Sequence, residues 1–119
     1  MNGDERRDPA PSGDAQHALV PIDPPEVLYH GTVERFLTSI RTQGLRPKRR
    51  SHVHLAASEA LARRVGGRRD EAIVLKVEAA RMAAAGFEFF RTERGVWLVD
   101  HVPRAFLLFP RGAVRKPRP

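Results

Sequence analysis

The order of apolar runs in this chain predicts an α+β domain of small twisted sheets joined by short helices. First, short β-branched runs alternate with short helical segments in the order β-α-β-α-β-(α)-β-β-β. Second, the strands follow one another too closely for the crossovers of a doubly wound parallel sheet. Third, neither G-x-G-x-x-G nor a P-loop occurs, so Rossmann and Walker phosphate sites are both excluded. The 119 residues suffice for one domain with one core.

Residues 1–26 hold five prolines, two glycines and no periodic apolar pattern. Such a segment cannot bury enough surface to offset its ordering entropy and is expected to stay disordered. Val27–His30 (V-L-Y-H) reads as a buried strand broken by Gly31-Thr32. Thr32 is placed to cap a helix over Val33–Gln43, on which Phe36, Leu37 and Ile40 share one face. Gly44 ends that helix, where a left-handed residue suits the chain. A strand–Gly–helix junction of this kind presents unpaired backbone N–H groups at the positive end of a helix, where an anion or a carboxamide oxygen can dock.

Leu45–Ser51 is a basic loop, and His52–Leu55 reads as a second strand. Period 2 puts His52 and His54 on one face and Val53 and Leu55 on the other. Ser58 can cap a helix over Glu59–Val65 that ends at Gly66-Gly67. Glu71–Glu78 has the strongest strand character, Arg81–Ala85 makes a turn or two of helix, and Phe87–Thr92 with Val96–Val99 forms a hairpin about Arg94-Gly95. Beyond Pro103, Ala105–Phe109 is the last strand, and the tail from residue 111 is expected to be disordered.

Charge narrows the function. The net charge is +7, and nine Lys or Arg lie between Arg41 and Arg69 against one acid, Glu59. The tail adds Arg111, Arg115, Lys116 and Arg118. Basic clusters of this density suit phosphates of a nucleotide, a nucleic acid, or both, although a solvated arginine-rich surface has the same composition. The cysteine count is zero, which excludes disulfides and thiolate metal sites and favours a cytoplasmic setting. No apolar run approaches the roughly 18 residues of a membrane span, and no secretory leader is expected. His52 and His54 could chelate a metal, pack without a ligand, or contact a nucleotide; with no thiolate or nearby acid to complete a site, no metal is expected.

Several motifs now stand in order: L-Y-H-G-T at 28–32, R-F-L-x-x-I at 35–40, Q-G-L at 43–45 and R-x-x-V-H-L at 50–55. Further on come A-x-R-V-G-x-R at 62–68, V-L at 74–75 and G-V-W-L at 95–98. Together they resemble the KptA-type RNA 2′-phosphotransferase family over Val27 to Phe109. The resemblance implies an ADP-ribosyltransferase-like NAD-binding catalytic lobe over residues 27–110. It also implies transfer of a splice-junction 2′-phosphate from tRNA-like RNA to NAD, releasing nicotinamide and ADP-ribose 1″,2″-cyclic phosphate. Nicotinamide leaves as a neutral molecule, so the first step needs a held ribose, a positioned phosphate and charge compensation rather than a strong acid.

Roles follow from the matched positions. The resemblance gives the nicotinamide riboside end to His30, Gly31 and Thr32, the adenosine side to His54 and Leu55, and the pyrophosphate to Arg68. It makes Arg50 the catalytic arginine on the transferred phosphate, with His30 beside it, because arginine pairs with phosphate bidentately. Trp97 reads as a core aromatic or a stacking platform, and Glu93 is a weaker candidate for a ribose contact. Ala56 stands where relatives usually have serine, and Asp70 where they usually have glycine. Full-length relatives carry an N-terminal RNA-binding lobe that adds an Arg-His pair and another arginine. Residues 1–26 do not resemble it, so a partner chain supplying that lobe is one expectation. An ADP-ribosyltransferase acting on another phosphate or on a protein, and a non-catalytic NAD- or RNA-binding remnant, stay open as alternatives.

Overall fold

The computed structural model describes residues 20–66 and 71–110. They form two three-stranded antiparallel sheets with three short α-helices, an α+β architecture. In chain order the elements are β1 (Leu28–Thr32), α1 (Leu37–Gln43), β2 (Val53–Leu55), α2 (Glu59–Gly66), β3 (Ile73–Val77), α3 (Ala79–Ala84), β4 (Phe90–Arg91), β5 (Trp97–Val99) and β6 (Leu107–Leu108). The first sheet runs β1-β3-β6 and the second β2-β5-β4. Two isolated bridges, Tyr29 with Ala56 and Leu45 with Val102, join elements beyond these ladders. In the first bridge each residue donates its N–H to the other's carbonyl, at 2.9 and 2.8 Å.

The core lies where the two sheets and the helices meet. Leu28, Leu75, Val77, Val99 and Val102 are fully buried, and Met82 and Phe89 close it beneath α3 and the hairpin. Along β2 the expected alternation holds: Val53 and Leu55 are buried and His54 faces out. Ser58 caps α2 as its position suggests, its Oγ accepting the Leu61 N–H at 3.1 Å. The hairpin also forms, with Phe90 opposite Leu98 and Arg91 opposite Trp97. Its turn is tied by Thr92, whose Oγ1 accepts the Val96 N–H at 3.1 Å. Trp97 is buried in the core, which decides between its two readings. Ile22 donates its N–H to Phe89, and Ala80 donates to Glu26, so residues 22 and 26 of the stretch read as disordered are bonded to the domain.

Several expected boundaries move. Gly31 and Thr32 do not break the first strand; they continue it, opposite Val74 and Ile73 of β3. Thr32 is therefore a buried strand residue and not a helix cap. The chain enters its helix through a 3₁₀ turn at Glu34–Phe36, with Val33 at the N-cap and no side-chain cap bond. A 3₁₀ turn advances about 120° per residue against about 100° in an α-helix, so the face drawn for one continuous helix rotates. Leu37 and Ile40 stay buried, while Phe36 swings out to 42% exposure. α3 starts at Ala79, before the expected Arg81. The last strand shortens to Leu107–Leu108 because Arg104–Phe106 forms a second 3₁₀ turn after Pro103.

Gly44 ends α1 with φ 75°, and its N–H reaches the Ile40 carbonyl at 2.8 Å. A side chain there would also overlap the carbonyl of Val102, the residue bridged to Leu45. Glycine is thus required twice at this position, by conformation and by close approach.

Candidate functional site

β1, the 3₁₀–α1 unit, the basic loop, β2 and α2 enclose a cleft of about 690 Å³. That is within the range of about 300–1,000 Å³ usual for small-molecule and cofactor sites. His30, Gly31, Thr32, Arg50, His54 and Leu55 all line it. Sequence positions 20 or more apart therefore converge on one cavity. Arg68, expected at the pyrophosphate, lies outside the described residues, as does Asp70. Glu93 and Trp97 do not line the cleft; its contact with the hairpin is through Val96.

β1 and β2 set the positions of the two central histidines. The His30 Nδ1 is 3.3 Å from the His54 carbonyl oxygen. A carbonyl only accepts, so His30 donates from Nδ1. Burial pushes the His30 pKa down from the ordinary histidine value, and this hydrogen bond opposes the shift in part. A neutral ring with its proton on Nδ1 keeps a lone pair on Nε2.

His54 has the opposite tautomer. The Arg50 Nη1 is 2.7 Å from His54 Nδ1 and 3.3 Å from Nε2. Arginine only donates, so Nδ1 at the shorter distance accepts and the proton sits on Nε2. Desolvation lowers the His54 pKa most, followed by the charge of Arg50 and then by His52 and His30. His52 is held to one side, its Nδ1 2.9 Å from Ser51 Oγ and its ring edge-on to Phe90 at 5.7 Å between centroids. Among the described residues no group of three or more His, Cys, Asp or Glu could hold a metal.

Gly31 serves a purpose that a dinucleotide-reading backbone does not by itself require. A Cβ added to Gly31 would overlap the Ala62 carbonyl and come within 3.2 Å of the Gly66 Cα. α2 can lie on β1 this closely only because both residues lack side chains. Its Leu61, Ala62, Val65 and Gly66 thereby become one wall of the cleft.

The cleft is electropositive. Arg46, Lys48, Arg49 and Arg50 line it, and no acidic side chain does among the described residues. Thr32 is only 6% exposed, and its hydroxyl has no hydrogen-bond partner among the described residues. A buried hydroxyl placed in this way can bond a water or a ligand's polar group. A row of cations, an unsatisfied hydroxyl and two neutral imidazoles suit a phosphate-bearing ligand that also carries uncharged donors and acceptors.

The site also includes residues that the motifs did not single out for it. Phe36 and Lys48 both line the cleft. The Lys48 Nζ stands 5.3 Å, and the Arg35 guanidinium 5.0 Å, from the centre of the Phe36 ring. Apolar periodicity put Phe36 on one helical face with Leu37 and Ile40; the 3₁₀ entry to the helix is what turns it away from them.

Known proteins resemble this chain over most of its length. The family model described as RNA 2′-phosphotransferase, Tpt1/KptA family, matches residues 9–101. A protein of Acaryochloris marina named "Probable RNA 2′-phosphotransferase" is 49% identical over 90 residues, which are 76% of this chain and 50% of that protein. A protein of the same name from Streptomyces griseus is 52% identical over 90 residues, 76% of this chain and 48% of the relative. One from Pseudomonas fluorescens is 42% identical over 111 residues, 90% of this chain and 61% of the relative. The chain spans about half the length of most of the curated relatives it matches.

Proposed function

The chain belongs to the Tpt1/KptA family of RNA 2′-phosphotransferases, and from that premise we propose that it transfers an RNA 2′-phosphate to NAD within the cleft walled by β1, α1, the basic loop, β2 and α2. The observation that carries the proposal is the convergence of Thr32, His30, Arg50 and His54 on one cationic cavity that no acidic side chain lines among the described residues. NAD fits the residues present: the basic loop suits its phosphates, the Thr32 hydroxyl lacks a partner among the described residues, and the cavity volume is ample. When bound, NAD supplies an electrophilic ribose carbon whose nicotinamide departs as a neutral molecule.

On this reading His30, Gly31 and Thr32 hold the nicotinamide riboside end. The His30 Nε2 lone pair accepts a hydrogen bond, and the Thr32 hydroxyl donates or accepts one. Leu55 and His54, whose Nε2–H is a donor, lie along the adenosine side, and Arg68 takes the pyrophosphate. Arg50 orients and neutralises the transferred phosphate, and His54 holds the guanidinium in place until the phosphate arrives. The RNA follows the remaining cations of the loop. Two small sheets bridged beside such a cleft support an ADP-ribosyltransferase-like lobe over residues 27–110. The matched residues make up about half of each of these relatives, which fits an RNA-binding lobe supplied from outside the region described. The absence of cysteine fits a cytoplasmic protein, and no helix among the described residues is long and apolar enough to cross a membrane.

The test is incubation with NAD and an oligoribonucleotide bearing an internal 2′-phosphate. Loss of that phosphate together with release of nicotinamide and ADP-ribose 1″,2″-cyclic phosphate is the expected result. Absence of nicotinamide release, with the RNA unchanged, overturns the assignment.

A further inference from the structure

Among the described residues six large apolar side chains are exposed, and three of them, Phe36, Leu61 and Val65, line the same cleft. Phe36 is the only aromatic ring of the six. Exposing such side chains forgoes burial that the rest of the fold achieves, and their concentration in a concave site marks the place of an apolar ligand surface. The ring is flanked by the charges of Arg35 and Lys48, and Arg46, Arg49 and Arg50 lie in the same cavity. The required ligand therefore has a flat apolar part and carries negative charge beside it. A nucleotide has both.

We propose that Phe36, with Leu61 and Val65, forms a nucleobase-binding subsite, in which the base stacks on the Phe36 ring and Lys48 pairs with a phosphate of the ligand. The subsite rests on the function proposed above and adds to it a base-recognition element outside the histidine motifs. Lysine suits this exchange, since its ammonium sits on a flexible four-carbon stem and can leave the ring for a phosphate. An exposed cation–π contact is weaker than the stacking of a base on an aromatic side chain, so the base displaces the cation from the ring face. Stacking tolerates any base. Both the adenine of the dinucleotide and a base of the acceptor RNA have the required chemistry.

The experiment measures binding of NAD, nicotinamide mononucleotide (which lacks adenine) and a 2′-phosphorylated oligoribonucleotide to the wild-type chain and to Phe36→Leu and Phe36→Trp variants. Phe36 is already exposed, so neither change empties the core. If adenine occupies the subsite, Phe36→Leu weakens NAD roughly tenfold, spares nicotinamide mononucleotide, and Phe36→Trp restores the affinity. If an RNA base does, the same pattern falls on the oligoribonucleotide and NAD is unaffected. Unchanged affinities in Phe36→Leu, or an equal loss for all three ligands, overturn the stacking site while the wild-type binding still supports the proposed function. A wild-type chain that binds neither NAD nor RNA overturns both.

Discussion

Gly31 and Gly66 stand back to back, so close that a Cβ on Gly66 would lie 2.7 Å from the Gly31 Cα. The contact is backbone against backbone and cannot relax by turning a side chain. It places α2 directly on β1 and makes the helix a wall of the cleft.

Gly66→Ala separates two opposing effects. Helix propensity alone favours alanine by up to about 1 kcal/mol. Overpacking costs about 1–3 kcal/mol, at the upper end where backbone must move. The expected result is net destabilisation in a denaturant titration, with weaker ligand binding as α2 lifts from β1. A more stable protein would show that the two elements separate freely.

The pair Arg50 and His54 gives a titration prediction. Removing the Arg50 charge in Arg50→Gln deletes one of the forces that lower the His54 pKa, so that pKa rises toward the ordinary value, while desolvation still holds it down. Proton NMR of the His54 ring reads the shift directly. An unchanged His54 titration would mean that the two side chains do not meet in solution.

Both His30 and His54 have pKa values lowered by folding, so the unfolded chain binds protons more tightly. Their contribution makes stability fall as pH drops from about 6.5, the unfolded histidine value, through the lower folded values, and makes it flat above that window. Denaturation midpoints between pH 5 and 8 test this. The His30→Asn, His54→Asn double variant should show a shallower acid slope.

Arg50→Ala should lower phosphate transfer about a hundredfold or more while leaving NAD affinity largely intact. Arg50→Lys should recover little of the loss, because a single ammonium cannot reproduce a bidentate pairing. Single-turnover rates with separately measured NAD binding distinguish the two effects. Normal turnover in the alanine variant would remove Arg50 from the reaction.

RNA affinity should depend steeply on salt. If Arg46, Lys48, Arg49 and Arg50 each meet a phosphate of single-stranded RNA, four contacts at about −0.7 each give a slope near −3 in log affinity against log salt. A flat dependence would exclude the loop as the RNA path.

Much of the architecture was legible in local chemistry. Ser58 caps its helix, the Arg94-Gly95 turn closes its hairpin, and the alternation of Val53, His54 and Leu55 survives in β2. Each depends on neighbours a few residues away, and such interactions are written in short-range pattern. The ordered motifs from His30 to Leu55 likewise named residues that meet in one cleft.

Other features depended on distant partners. Thr32 looked like a cap because a helix follows it, but pairing with Ile73 holds it in the strand. Gly31 looked like a strand break, yet its missing side chain admits α2. Phe36 matched a buried helical face until the 3₁₀ turn rotated it into the cleft. The sequence by itself determined the element types, the basic loop and the histidine and arginine motifs, because periodicity, capping and charge act locally. Only the tertiary structure decided which backbone surfaces touch and which apolar ring stays open, because close approach depends on the shape of a partner far along the chain.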